Sequence, residues 1–192
     1  HDLKSKIWDA WADENGSIGK AYGYQLGIKH KYKEGEFDQV DRVLYDLKHN
    51  PLSRRIMTNI YNHADLHEMN LYPCAYSMTF NVTGNRLNGI LNQRSQDMLV
   101  ANNWNVCQYA VLLHMFAKVS GLVAGELVHV IADAHIYDRH IPIVEELIKR
   151  EPLPAPTFEI DDIDDFYKFT VDNVRLKDYN YHEFNIKIPV AE

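Results

Sequence analysis

Cys74 is the residue of this sequence best suited to act as a nucleophile. A thiol gains that role when nearby positive charge stabilises its thiolate. A hairpin signal at Thr83-Gly84-Asn85 predicts that the chain folds back, which places Cys74 opposite Gln93 and Arg94. Arg94 would then favour the thiolate, and Arg94 with Ser95 could bind a phosphate. The alternative is that Cys74 is a small apolar residue of the core, as isolated cysteines commonly are.

A second candidate phosphate site is the pair Arg54-Arg55, in a turn that follows a predicted helix. Two adjacent guanidinium groups can clamp a phosphate, or can be a solvated surface pair. The chain carries 20 Lys and Arg against 27 Asp and Glu, which is a formal net charge of −7. This balance argues against a broad DNA-binding face, so an anionic ligand needs a local cluster of cations.

Other polar residues have spacings that could serve a ligand. His135 and Tyr137 are two apart in a predicted strand, so they share a face and could bind one hydroxyl, or could satisfy each other. Asn105 lies at the start of a predicted helix, where an amide can cap the helix or read a base edge. His63 and His67 have i, i+4 spacing without a third ligand, and we predict no metal site.

The elements that must position these residues indicate an α+β fold, in which a mostly antiparallel or mixed sheet packs against one long buried central helix. Residues 38–49 have the spacing of an amphipathic helix. Residues 103–119 are apolar almost all round, which predicts the buried helix and a core position for Cys107. The other predicted elements are helices at 5–12 and 143–150, a loop at 15–27, and strands at 55–61, 74–82, 87–92 and 127–137.

Length and composition narrow the class of protein. The 192 residues suit one domain, and an aromatic content of 11% excludes a disordered chain. No apolar run approaches the ~20 residues that a membrane span needs. Two cysteines cannot form a disulfide framework, which predicts a reducing cytoplasm.

With these residues in view, the chain resembles the thymidylate synthase family over nearly its whole length. The resemblance rests on SRR at 53–55, YPC at 72–74, QRSQD at 93–97, WNVCQYA at 104–110, DAHIY at 133–137 and PVA near the end. Several long motifs in the right order are far more specific than any one of them. The resemblance implies methylation of dUMP to dTMP, with 5,10-methylenetetrahydrofolate as co-substrate and no metal.

The resemblance also implies a role for each matching residue. Cys74 would add to C6 of the uracil ring, Asn105 would bind N3–H and O4, and Tyr22 would assist removal of the C5 proton through ordered water. The folate itself would donate the final hydride, leaving dihydrofolate. The implied dUMP contacts are Arg54, Arg55, Arg94, Ser95, Gln93, Asp97, Asn105, His135 and Tyr137, and the implied folate contacts are Trp8, Trp11, Asp97 and Ala191.

A homodimer follows from the same resemblance, with sheet faces forming the interface. Arg54 and Arg55 would reach the phosphate from the partner subunit, which explains why the pair also reads as solvated surface. The implied partners are therefore dUMP, a reduced folate and a second copy of the chain, without DNA or a membrane.

The sequence departs from the family at Ala101, Asn103 and Trp104, close to the expected uracil site, and at Glu192. Family members begin several dozen residues earlier, so we expect His1 to be a break in one catalytic domain, 1–192, that is incomplete at its N-terminus.

Two other functions remain open at this point. A deoxypyrimidine hydroxymethylase would use water in place of hydride, and a truncated dimer could bind nucleotide without turnover. Asn105, where a cytosine-specific hydroxymethylase would carry Asp, and Trp8 favour methylation of uracil.

Overall fold

The computed structural model describes residues 8–189. The strands in chain order are β1 His30–Tyr32, β2 Gly35–Phe37, β3 Met57–Asn59, β4 Ala75–Thr83, β5 Arg86–Gln93, β6 Gln96–Asp97, β7 Val123–Ile131, β8 Ala134–His135, β9 Thr157–Ile160 and β10 Val174–Lys177. The α-helices are α1 Gly23–Gly27, α2 Gln39–His49, α3 Asn102–Val119 and α4 Ile141–Leu147. Short 3-10 turns occur at Leu66–Glu68, Asp138–His140, Phe166–Lys168 and Val171–Asn173.

The first described segment differs from the prediction. The predicted helix at 5–12 is wrong from Trp8 onward, the part that the structure describes. There the chain makes a single turn, in which the carbonyl of Trp8 accepts the N–H groups of both Trp11 and Ala12. Asp13 then starts a loop by accepting the N–H groups of Asn15 and Ser17 through its carboxylate. The predicted loop at 15–27 ends instead in the short helix α1.

The predicted amphipathic helix at 38–49 is confirmed as α2. Asp38 caps its first turn by accepting the N–H of Asp41 at 2.8 Å, and Val43 and Leu47 on its inner face are buried. Asn50, which precedes Pro51, ends the helix.

The central sheet has the strand order β3-β4-β5-β7, with antiparallel pairs except for the parallel pair of β5 with β7. The hairpin prediction is confirmed, since Thr83 pairs with Arg86 across a two-residue turn in which Gly84 has φ +61°. The predicted strand 127–137 is divided into β7 and β8. The fold is therefore mixed α+β, as the patterning predicts.

The two faces of this sheet have opposite environments. One cross-strand row, Thr58, Met78, Leu91 and His129, faces the core, where Met78 and Leu91 are fully buried. The neighbouring row, Met57, Thr79, Ile90 and Val128, faces the other way. Its apolar members remain 41% to 48% exposed within residues 8–189. We call this second row the outer row.

The long helix α3 packs against β5 and β7 through one side, not all round. Its fully buried side chains are Leu113, Phe116 and Ala117, whereas Trp104 in its first turn is 55% exposed. Cys107 is also exposed, so the prediction of a core position for this residue is wrong. The first turns of α3 are therefore apolar in sequence but lie on a surface that the described chain does not cover.

The C-terminal part adds a small layer to the core. Strands β9 and β10 pair antiparallel, and Arg175 bonds to Asp161 at 2.7 Å beside this pair. Phe166 stacks on Phe116 of α3 with ring centroids 5.0 Å apart. The predicted helix 143–150 is α4, which begins two residues earlier. None of the helices in residues 8–189 has the length and apolarity to cross a membrane.

Candidate active site

Cys74 lies immediately before β4, at the corner where β4 and β5 end together. Ala75 pairs with Gln93, and the N–H of Arg94 donates to the carbonyl of Cys74 at 2.9 Å. The prediction that the hairpin brings Cys74 opposite Gln93 and Arg94 is confirmed. We call this region the cysteine corner.

The Arg94 side chain is held against the chain that leads to Cys74. Its Nε–H donates to the carbonyl of Pro73 and its Nη2–H to that of Tyr72, each at 3.0 Å. These bonds fix the guanidinium against the backbone just before Cys74 and leave its remaining donors for an anion. Arg94 also borders a cavity of about 380 Å³ that it shares with Asn59, Tyr61, His63 and Tyr76.

Tyr22 reaches the same corner from the other side. Its hydroxyl oxygen accepts the N–H of Cys74 at 3.2 Å. Burial, and then the neighbouring thiol of Cys74, raise the pKa of Tyr22, so the phenol stays protonated at neutral pH. Its ring packs edge-on against that of Trp8, with ring centroids 5.6 Å apart, and the rings of Trp8 and Trp11 have centroids 6.0 Å apart. Trp8 therefore contacts the cysteine corner through Tyr22, and Trp11 packs behind Trp8.

A short parallel pair, β6 with β8, joins two of the predicted binding motifs. Asp97 pairs with His135, and the N–H of Met98 donates to the carbonyl of His135 at 2.9 Å. The Asp97 carboxylate accepts the N–H groups of Leu99 and Val100, which shapes the turn before α3.

His135 and Tyr137 share a face, as their spacing predicts. Their rings meet edge-on at 5.1 Å, and His135 Nδ1 lies 3.2 Å from the carboxylate of Asp133. Tyr137 also contacts the ring of His140, whose Nε2–H donates to the carbonyl of Pro189 at 2.8 Å. The end of the described chain is thus tied down next to Tyr137.

Asn105 on the first turn of α3 is oriented by a buried amide. Its Nδ2–H donates to Oε1 of Gln96 at 3.3 Å, and Gln96, only 1% exposed, donates to the carbonyl of Asp97. This contact uses one N–H of the Asn105 amide and leaves its second N–H and its carbonyl oxygen for a ligand.

Gln93 supports the corner from beneath. It is 2% exposed, its amino group donates to the carbonyl of Ser95 at 2.9 Å, and its Oε1 accepts from His129 Nε2 at 2.9 Å. Burial lowers the pKa of His129, which favours its neutral form. Gln93 therefore shapes the loop that presents Ser95.

Sequence reasoning missed two of these supports, Gln96 and His129. Gln96 lies inside the QRSQD motif, so its position was a usable signal. His129 enters from β7, and the register between β7 and β5 has no local signal in the sequence.

Arg54 and Arg55 are not brought to the cysteine corner. Both are exposed in the turn before β3, where the N–H of Arg55 bonds to Ser53 Oγ. Within residues 8–189, neither guanidinium makes a hydrogen bond or ion pair. Ala191 lies outside the described residues. The described part of the chain contains no group of three His, Cys, Asp or Glu that could hold a metal.

Comparison with known proteins agrees with this geometry. The family model for thymidylate synthase matches residues 1–192. A thymidylate synthase of Bacillus licheniformis is 45% identical over 183 residues, which cover 94% of this chain and 66% of that protein. That of Bacillus phage phi3T is 44% identical over 177 residues, covering 91% of this chain and 63% of the phage protein.

Structural comparison leads to the same family. The thermostable thymidylate synthase A of Bacillus subtilis superposes with a TM-score of 0.91 at 39% identity, covering 97% of this chain and 68% of that one. The chain spans slightly less than two thirds of the length of the first curated relatives that it matches. The matched family model and these relatives show that the chain belongs to the thymidylate synthase family.

Proposed function

We propose that this chain converts dUMP to dTMP, with 5,10-methylenetetrahydrofolate supplying both the carbon and the hydride. The observation that carries the proposal is the cysteine corner, where the Tyr22 hydroxyl bonds to the amide of Cys74 and the Arg94 guanidinium bonds to the two carbonyls that precede it. We further propose that residues 1–192 act as one catalytic domain in the cytoplasm, where the free thiols of Cys74 and Cys107 would stay reduced.

The first step is addition of the Cys74 thiolate to C6 of the uracil ring. The electron pair of the C5–C6 double bond moves to C5, and charge develops on O4. That charge must be stabilised because C6 is otherwise a weak electrophile. Asn105, which bonds to Gln96, is proposed to bind the N3–H and O4 edge of the ring.

The next steps transfer the carbon unit. C5 attacks the methylene group of the folate and forms a carbon–carbon bond. Loss of the C5 proton then supplies the electron pair that expels the folate nitrogen from the transferred carbon, which leaves a methylene group double-bonded to C5. Tyr22 is proposed to assist this proton loss through ordered water, since its protonated hydroxyl lies on the amide of Cys74. Hydride transfer from the tetrahydrofolate to this methylene group then gives the methyl group and dihydrofolate, while the C5–C6 double bond re-forms and the Cys74 thiolate leaves C6.

The remaining residues hold the two substrates in contact, which is catalysis by orientation. Arg94 and Ser95 are proposed to bind the phosphate, with Gln93 supporting Ser95 from beneath. His135 and Tyr137 are proposed to bind the ribose 3′-hydroxyl. The proposed folate contacts are Asp97, Trp8, Trp11 and Ala191.

We also propose that two copies pair through the outer row. Met57, Ile90 and Val128 are the apolar members of this row, and the described chain leaves all three exposed. Arg54 and Arg55 immediately precede the edge strand β3 of that face, and their guanidinium groups lack partners in the described chain. In a two-fold dimer both arginines would complete the phosphate site of the partner subunit.

A product assay tests the proposal. The chain is incubated with dUMP and 5,10-methylenetetrahydrofolate, dihydrofolate is followed by its absorbance, and the nucleotide is identified by mass. Formation of dTMP with equal dihydrofolate supports the proposal. Hydroxymethyl-dUMP without dihydrofolate would identify a hydroxymethylase, and bound dUMP without product would identify a nucleotide-binding dimer.

A further inference from the structure

The backbone at Tyr22 has a conformation that the chain must enforce. Its φ of 36° and ψ of −101° lie in the left-handed half of conformational space, which a tyrosine rarely adopts. Such a residue persists only where its surroundings over-determine it. The hydroxyl nevertheless reaches the Cys74 amide, so the elements that hold the turn also determine where the phenol lies.

Gln25 closes the turn that contains Tyr22. This side chain is 1% exposed, and its amino group donates to the carbonyl of Lys20 at 2.9 Å and to the carboxylate of Asp65 at 2.9 Å. The side-chain N–H of Asn62 donates to the oxygen of the same amide at 3.4 Å. Since Lys20 and Gln25 flank Tyr22 in sequence, the amide spans the strained residue and anchors it to a separate loop.

Gln39 extends this brace to the core. Its amino group donates to the carbonyls of Gln25 and Asn59, each at 2.8 Å, and its oxygen accepts the N–H of Asn59 at 2.7 Å. One side chain at the start of α2 thus ties α1 to β3. Every polar atom of the Gln39 amide is used, and the residue is 9% exposed.

We infer that Gln25 and Gln39 are positioning residues that hold the strained turn of Tyr22, and thereby its hydroxyl, against Cys74. The inference rests on the proposed function for its catalytic meaning: a displaced phenol would slow removal of the C5 proton. Neither amide is placed in contact with the substrates, so both act through Tyr22. The competing role is a purely structural one, in which the two amides contribute stability alone.

Gln39→Met and Gln39→Glu separate these roles. The first removes all three hydrogen bonds at similar size, and the second keeps the acceptor for the Asn59 N–H while losing both donors. We expect either change to lower kcat by about 10- to 100-fold, with the KM for dUMP within about 3-fold, because a small misplacement of a catalytic group is costly. Release of tritium from C5-labelled dUMP should fall in parallel.

A double-mutant cycle with Tyr22→Phe gives the decisive comparison. If Gln39 acts through the Tyr22 hydroxyl, its replacement in the Tyr22→Phe background should cost no more than about 3-fold further. Fully multiplicative losses would overturn the inference. Val43→Ala, a core change on the same helix, is the control: it should lower the unfolding midpoint while kcat stays within about 2-fold.

A measurement that needs no turnover keeps the inference separate from the proposed function. Hydrogen exchange at the Cys74 amide should accelerate about 10-fold in Gln39→Met and in Tyr22→Phe, but not in Val43→Ala. Unchanged exchange in the Gln39 variants would overturn the inference. A wild-type chain that makes no dTMP, yet shows this pattern of exchange, would refute the proposed function alone. Gln39→Glu, the milder change, carries the same test if Gln39→Met does not fold.

Discussion

The cysteine corner and the outer row of the sheet differ in how far a single chain bonds its own polar groups and buries its own apolar ones. At the corner, Arg94 bonds to two carbonyls and the Tyr22 hydroxyl accepts the amide of Cys74. On the outer row, Ile90 and Val128 stay 41% and 48% exposed. A single chain therefore builds the surroundings of Cys74, whereas the exposed face with its neighbouring arginines has the character of a surface that needs another molecule.

Loss of the proposed nucleophile should have the largest effect at the corner. We expect Cys74→Ser to reduce turnover by at least about 10³-fold, because a serine hydroxyl is a far weaker nucleophile without a base to activate it. Binding of dUMP, measured by calorimetry, should stay within about 3-fold of wild type.

Cys107 provides the matched control for that change. It is the other cysteine of the chain, is exposed on α3, and takes part in none of the contacts described at the corner. Cys107→Ser should leave turnover within about 2-fold. Equal losses of turnover in Cys74→Ser and Cys107→Ser would contradict the proposal that the thiol of the corner has a special role.

A charge in the outer row should break the proposed dimer. Val128→Asp places a carboxylate between apolar neighbours, and an unpaired charge at a closed interface costs several kcal/mol. We expect the dimer dissociation constant from sedimentation to rise at least about 100-fold, and activity to fall with dimer content. Val171→Asp, at a residue 65% exposed in a 3-10 turn, is the control. A Val128→Asp chain that dimerises normally would assign the interface to another surface.

Removal of a proposed shared arginine should have a smaller effect. We expect Arg54→Ala to weaken dUMP binding about 10- to 100-fold, the range of one or two charged hydrogen bonds, and to weaken its salt dependence. Arg86→Ala, at an exposed arginine of the β4–β5 hairpin, should bind dUMP as wild type does.

Mixed dimers test whether the arginine acts across the interface. At a dUMP concentration too low to occupy the Arg54→Ala sites, an equal mixture of Arg54→Ala and Cys74→Ser chains should recover about a quarter of wild-type activity, because half of the dimers would contain one complete site. No recovery, with subunit exchange confirmed, would place Arg54 in the site of its own chain and remove the contrast between the two regions.

The corner could be predicted from sequence because its main signals are local. The hairpin turn at residues 83–85 sets the register of two adjacent strands, and that register alone brings Arg94 to Cys74. Helix α2 was equally readable, since its apolar period and the cap at Asp38 lie within one segment.

The supports of the corner could not be predicted because they join distant segments. Gln39 bonds to Gln25 and Asn59, which are 14 and 20 residues away, and His129 bonds to Gln93 across 36 residues. The exposure of Cys107 was missed for a related reason: an apolar helix pattern records that a side is covered, but not by what. An apolar helix pattern therefore predicts burial even where, as at Cys107, the described chain leaves the side chain exposed.

Alkaline pH should produce the smallest effect, and it should arise at the corner. Burial raises the pKa of Tyr109, which lies near Tyr22, to about 12 from 10.0. Because the folded state holds this proton more tightly, stability is complete below pH 10 and is lost as the pH rises towards 12. The free energy of unfolding should therefore fall by about 1 kcal/mol between pH 10 and 11 on account of this group.

Urea titrations of wild type and Tyr109→Phe measure this change. The stability of the variant should fall by that much less over the interval, whereas Tyr181→Phe, at a tyrosine 69% exposed, should follow wild type. A Tyr109→Phe curve parallel to wild type would show that the buried phenol does not contribute to alkaline sensitivity.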